Sequence, residues 1–210
     1  TDGGGGVLDE QAGKAQTYLV QGAEKTYATF DLTVTNQGGH SSRPRADNAI
    51  YQLAHALLKV EGHRFPVMAN ELTRSYLGAV GKAREGEVGD ALRKFAVNPN
   101  DVAASDVLAK SPEFVGTTRT TCIATMLDAG HAENALPQTA KAAINCRIFP
   151  GVTGEQIQRE LQAIAGQDVT VTMVDPPVAA PPSPLRQDIV DAYTKALAPR
   201  FPNAPLLPWM

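Results

Sequence analysis

Tyr27-Ala28-Thr29-Phe30-Asp31-Leu32-Thr33-Val34-Thr35 decides the fold, because its apolar and polar residues alternate without a slip. Ala28, Phe30, Leu32 and Val34 fall on one side and Thr29, Asp31, Thr33 and Thr35 on the other, the period-two pattern of a strand buried on one face. The loop Gly38-Gly39-His40-Ser41-Ser42 follows. Beyond it Ile50, Leu53, Ala54, Leu57, Leu58 and Val60 recur at helical spacing, with Ser42 and Asp47 as candidate N-caps. Residues 118–128 and 140–149 read as two more strands flanking a loop at 130–137, a spacing suited to an antiparallel hairpin. Thr153, with Glu155 close behind, opens a second helix carrying Ile157, Leu161 and Ile164, and a last strand at 169–174 ends at Pro176 and Pro177. Strand, helix, strand, strand, helix, strand is the α+β split βαβ order (ferredoxin-like βαββαβ). It predicts an antiparallel sheet with two helices on one face.

Outward from that frame, residues 62–116 interrupt it with short helical patterns at 70–80, 88–97 and 101–109, broken by Gly81, Gly86, Gly89, Pro99 and Pro112. This segment is expected to be a helical insertion in a domain running over 26–175. Residues 1–25 and 176–210 do not belong to its sheet. The first fifteen residues, including Gly3 to Gly6, have no periodicity and read as loop, 17–21 is a short strand candidate, and a Pro-rich linker leads to a helix over 184–197 capped by Ser183. Both ends are expected to be edges of another domain, left and re-entered through nearby linkers. With no initiator Met and no leader pattern, the sequence is expected to begin mid-protein. A chain of 210 residues with 43% apolar content can build a core. A net charge of −3 spread along it gives no footprint for nucleic acid or for an anionic membrane. No stretch approaches the roughly 20 apolar residues of a membrane span.

Three side chains are candidates for chemistry. His40 sits between backbone-freeing glycines and two serines, where a donor can be aimed at developing negative charge; the competing reading is an ordinary surface-loop histidine. Asn134, in His131-Ala132-Glu133-Asn134-Ala135-Leu136-Pro137, has an amide able to donate to a carbonyl or carboxylate, and equally suits a turn. Strand alternation puts Arg147 on the face opposite Ile144, Cys146 and Ile148, where it offers a carboxylate a bidentate fork or simply meets solvent. Cys122 and Cys146 each lie on the apolar side of a strand, as two buried thiols or as one bridge between neighbouring strands. The Gly3 to Gly6 run is no phosphate loop, since no strand precedes it and no Lys-Ser/Thr pair follows. Asp2 before it passes locally as loop composition.

Together, Thr1-Asp2-Gly3-Gly4-Gly5-Gly6, Gly38-Gly39-His40-Ser41-Ser42, Glu133-Asn134-Ala135-Leu136-Pro137 and Cys146-Arg147-Ile148-Phe149-Pro150-Gly151 resemble, in order, motifs of a dinuclear-zinc metallopeptidase family. Its members are aminoacylases, glutamate carboxypeptidases, acetylornithine deacetylases and succinyl-diaminopimelate desuccinylases. Residues 26–175 then correspond to the family's inserted lid, or dimerisation, domain, and the two ends to edges of its catalytic domain. The glycine-rich head and the Arg-Ile-Phe-Pro-Gly ending look most like the carboxypeptidase and N-acyl-amino-acid hydrolase branch.

The resemblance implies that Asp2 is a metal ligand and that His40 reaches into the partner subunit's active site to steady an oxyanion. Asn134 and Arg147 match residues that grip the substrate carbonyl and the terminal carboxylate. It further implies two zinc ions in the intact enzyme, a homodimer through the lid, a peptide or N-acyl amino acid substrate, and export in preference to a cytoplasmic location. The sequence departs from the family in lacking a His-x-Asp motif, a Glu-Glu pair and a C-terminal His ligand. Because a catalytic zinc takes about three protein ligands, the chain alone is expected neither to bind zinc tightly nor to hydrolyse anything. Two alternatives come from other classes. One is a non-catalytic dimerisation or small-molecule-binding module, which the same topology supports. The other is single-stranded RNA binding, disfavoured because 141–148 carries no aromatic and the charge has the wrong sign.

Overall fold

A computed structural model describes residues 4–9, 14–179, 181–184, 186–202 and 204–210. Along the chain run β1 (Gly4–Asp9), β2 (Lys14–Gln21), β3 (Thr26–Thr35), β4 (Gly39–His40), α1 (Ala49–Gly62), α2 (Glu71–Ala83), α3 (Gly86–Val97), α4 (Val102–Ala109) and α5 (Val115–Thr118). They are followed by β5 (Thr121–Ala129), β6 (Ala135–Leu136), β7 (Thr139–Ile148), α6 (Gly154–Ala165), β8 (Thr170–Met173), α7 (Gln187–Leu197) and β9 (Leu206–Trp209). These elements divide into two compact units: residues 26–66 with 120–179, and residues 1–25 with 67–119 and 180–210.

The first unit is the split βαβ sheet. Its strand order is β5-β7-β3-β8, and every neighbouring pair is antiparallel. The alternation that marked β3 is realised as burial: Ala28, Phe30, Leu32 and Val34 are at most 2% exposed. They join Ala142, Ile144, Cys146 and Ile148 of β7 in one apolar layer, covered by Leu53, Ala56 and Val60 of α1 and by Ile157, Leu161 and Ala165 of α6. Burying a Leu or Ile there contributes about 1.5–3 kcal/mol each, so the sheet face and the two helices stabilise one another. The opposite face is polar, with Asp31 and Lys141 forming an ion pair at 2.7 Å.

Both helix starts are held by side chains. Thr153 forms a capping box with Gln156, not with Glu155: Gln156 N donates to Thr153 Oγ1 and Thr153 N to Gln156 Oε1. For α1 the N-cap is Asn48, whose Oδ1 accepts from Ile50 N and Tyr51 N. Neither Ser42 nor Asp47 caps it. Asp47 is engaged instead by the Arg45 guanidinium through two bonds of 2.8 and 2.9 Å.

The second unit has its own sheet, β1-β2-β9, in which β1 and β2 form an antiparallel pair and β2 and β9 a parallel one. The head is therefore not the expected loop: Gly4–Asp9 is paired with β2. A glycine run has no side chains to alternate, so this strand is specified by its partner and leaves no periodic signal. Helices α2 to α4 pack through Leu77, Leu92, Phe95, Leu108 and Phe114. The segment expected as an insertion within the sheet domain packs with the head and tail, where Lys25 Nζ donates to the carbonyls of Gly116 and Arg119 at 2.8 Å. The tail helix begins at Gln187, and the side chain of Ser183 does not cap it. No helix among the described residues is long and apolar enough to cross a membrane.

Candidate functional site

Two loops at one end of the split βαβ sheet meet. Where β3 gives out, Asn36 N still donates to Gln138 O at 2.8 Å, and Asn36 Nδ2 donates to Gln52 Oε1 of α1 at 2.7 Å. The chain then reverses through Gly38 at φ +73° and Gly39 at φ +150°, values that L side chains rarely adopt. A Cβ on Gly38 would stand 2.6 Å from Gln138 Cγ and 3.1 Å from the carbonyl oxygen of Leu136. This turn lays β4 against β6 as a two-stranded antiparallel ribbon, with Gly39 opposite Leu136 and His40 opposite Ala135. Ser41 N donates to Asn134 O at 2.9 Å, and Arg43 N closes a turn onto His40 O at 3.0 Å.

The ribbon brings His40 and Asn134 together, both exposed. The imidazole is not loose. Its Nδ1 lies 2.9 Å from Ser42 Oγ and receives Ser42 N–H at 3.2 Å. Among the described residues nothing holds the Asn134 side-chain amide, which can donate two hydrogen bonds.

Arg147 is not part of this cluster. It pairs with Tyr27 at the start of β3, whereas the loops meet beyond Thr35, which pairs with Thr139. Eight residues of strand at about 3.4 Å each separate the two places by about 27 Å. Arg147 is exposed on the polar face, its Cζ 4.9 Å from the centroid of the Tyr27 ring. A cation over an aromatic face gains roughly 0.5–1 kcal/mol when exposed, enough to orient the guanidinium without occupying its donors. Asp2, the candidate metal ligand, lies outside the described residues.

Register decides what the sequence left open between two buried thiols and one bridge. Cys122 and Cys146 face each other directly across β5 and β7, with Cα atoms 4.1 Å apart, and form a disulfide. On the far side of β5 no strand among the described residues follows in this sheet, and Ile123, Met126 and Leu127 are 66–73% exposed. Leu58 of α1 is also exposed, and a groove of about 580 Å³ runs between helix and edge strand, lined by Ala54, Leu57, Leu58, Val60, Cys122, Ile123 and Ala124 with one charged residue, Glu61. Apolar groups clustered on an open strand edge mark an interaction surface. Among the described residues, no three His, Cys, Asp or Glu side chains converge as a metal ion would require.

Residues 22–170 match the family described as the peptidase dimerisation domain. The chain is 32% identical over 149 residues to the N-fatty-acyl-amino acid synthase/hydrolase PM20D1 of Xenopus tropicalis, covering 66% of this chain and 27% of that one. It is 32% identical over 145 residues to the probable carboxypeptidase S-like 2 of Dictyostelium discoideum, covering 69% of this chain and 27% of that one. The chain thus spans about a quarter of the length of these curated relatives. Its fold is shared with the M20 family metallo-carboxypeptidase Sso-CP2 from Sulfolobus solfataricus, at a TM-score of 0.57 and 18% identity, over 98% of this chain and 48% of that one. With the split βαβ sheet, its open edge strand and a family match over most of the chain, this protein belongs to the M20 peptidase dimerisation-domain family.

Proposed function

We propose that the chain is the lid and dimerisation portion of a zinc-dependent hydrolase that cleaves an amide or peptide bond next to a carboxylate, of the carboxypeptidase or N-acyl-amino-acid hydrolase type. The observation that carries this reading is the β4–β6 ribbon, which pairs the His40 and Asn134 segments through their backbones and leaves both side chains exposed. Neutral donors such as these suit a carbonyl oxygen that gains negative charge as water adds, and one such donor contributes on the order of 10²–10³ in rate. Arg147 suits the substrate carboxylate by bidentate pairing. The two zinc ions of this reading supply an activated water. They are held by residues other than those described, with Asp2 as a ligand, and the chain alone is inactive.

A substrate of two residues' length spans about 7 Å, far less than the distance from Arg147 to the His40 ribbon. If all three side chains touch one substrate, they come from two copies of the chain. The apolar groove and open edge at β5 support a homodimer in which such sharing can occur. The disulfide supports export, because such bonds persist in oxidising compartments.

The test is hydrolysis of N-acyl amino acids and C-terminal dipeptides by the full-length protein containing this chain. His40→Ala and Asn134→Ala are each expected to lower kcat by about 10²-fold, whereas Arg147→Ala raises KM for carboxylate substrates. Unchanged kcat in the first two variants would overturn the assignment.

A further inference from the structure

The contact between Ser42 and His40 determines more than the position of the ring. A backbone amide nitrogen has only a proton to offer, so the 3.2 Å contact from Ser42 N to His40 Nδ1 requires Nδ1 to be the acceptor. The Ser42 hydroxyl, 2.9 Å from the same nitrogen, is oriented to donate to it as well. A neutral imidazole whose Nδ1 accepts carries its proton on Nε2. The turn closed by Arg43 N on His40 O keeps the Ser42 amide beside the ring. The contrast is His63, whose Nε2 is spent on Glu160 Oε1 at 2.8 Å.

We propose that Ser42 is a positioning residue that locks His40 in the Nε2–H tautomer, leaving Nε2–H as an outward donor toward the substrate carbonyl. The catalytic half of this inference rests on the function proposed above; the tautomer itself does not.

The experiment is nitrogen NMR on the chain labelled with 15N-histidine, at a pH where the ring is neutral, with His40 assigned by the loss of its signals in His40→Ala. Ring shifts report which nitrogen bears the proton. The wild type is expected to hold the Nε2–H form in clear excess over a short peptide of residues 38–44. Ser42→Ala, which keeps the amide and loses the hydroxyl, is expected to cut that excess about two- to tenfold, the weight of one net hydrogen bond. Ser42→Thr, which keeps both donors, should restore it. A wild-type His40 with the tautomer ratio of the peptide overturns the lock. In the full-length protein, Ser42→Ala should lower kcat by a similar factor with KM unchanged. A changed tautomer with unchanged kcat overturns the positioning role. If His40→Ala itself leaves hydrolysis intact while the lock persists, the proposed function fails and the tautomer assignment stands.

Discussion

Gly38 holds a left-handed φ of +73°, with Gln138 Cγ and the Leu136 carbonyl where a Cβ would stand. Any side chain there must twist the ribbon that presents His40. Gly38→Ala is expected to cost about 1–2 kcal/mol and to lower kcat more than it raises KM, as denaturant unfolding and steady-state kinetics of the full-length protein would show. In the same loop, the two hydrogen bonds from Arg45 hold the Asp47 carboxyl below the usual carboxylate range. A depressed folded value means that this pair stabilises the loop above the unfolded aspartate value of about 3.9 and is lost as pH falls through the folded one. Carbon NMR should therefore find Asp47 titrating at lower pH than an ordinary exposed aspartate, and Arg45→Ala should move its midpoint upward. Both groups are exposed, so global stability should scarcely respond. These engagements also explain why the α1 cap was misread: Ser42 and Asp47 are good capping types, but their side chains are directed at His40 and Arg45, and Asn48 caps the helix.

At the scale of elements, β5 is the exposed strand, and the disulfide joins it to β7 across a sequence separation of 24 residues. Closing a loop of that size contributes about 3 kcal/mol by restricting the unfolded chain. Denaturant unfolding with and without reductant should show a loss of this order, and a Cys122→Ala/Cys146→Ala variant should behave like the reduced protein and ignore reductant. Elements with one buried face were legible: β3 and β7 alternate because helices cover one side and solvent the other, and the stripe of Ile157 and Leu161 marked α6. Other features were not. The head strand β1 is glycine-rich and shows no alternation; β5 was legible as a strand, but not its position as an open edge, because its apolar residues are exposed along most of its length. The disulfide needs the pairing register, which no local pattern encodes. The motif residues His40 and Asn134 could be picked out from their loops, yet their meeting depends on the β4–β6 ribbon.

For the whole molecule, the proposed sharing of one substrate between two copies has a sharp consequence. Mixing full-length His40→Ala and Arg147→Ala proteins under conditions that exchange subunits should restore part of the activity that each lacks, because the mixed dimer keeps one intact combination of side chains. Absence of any recovery would show that Arg147 and His40 do not serve the same substrate. Ile123→Glu, which puts a charge on the open edge beside the apolar groove, should shift sedimentation toward the monomer. The parallel pairing of β2 with β9 sets Tyr18 opposite Leu206. On a ribosome, every strand of the split βαβ sheet emerges before Leu206 does, so that sheet can close while β2 still waits for its neighbour. Folding is thereby ordered in time: the part bearing His40 and Asn134 can mature first, and the head remains without its second strand partner until Leu206–Trp209 has emerged.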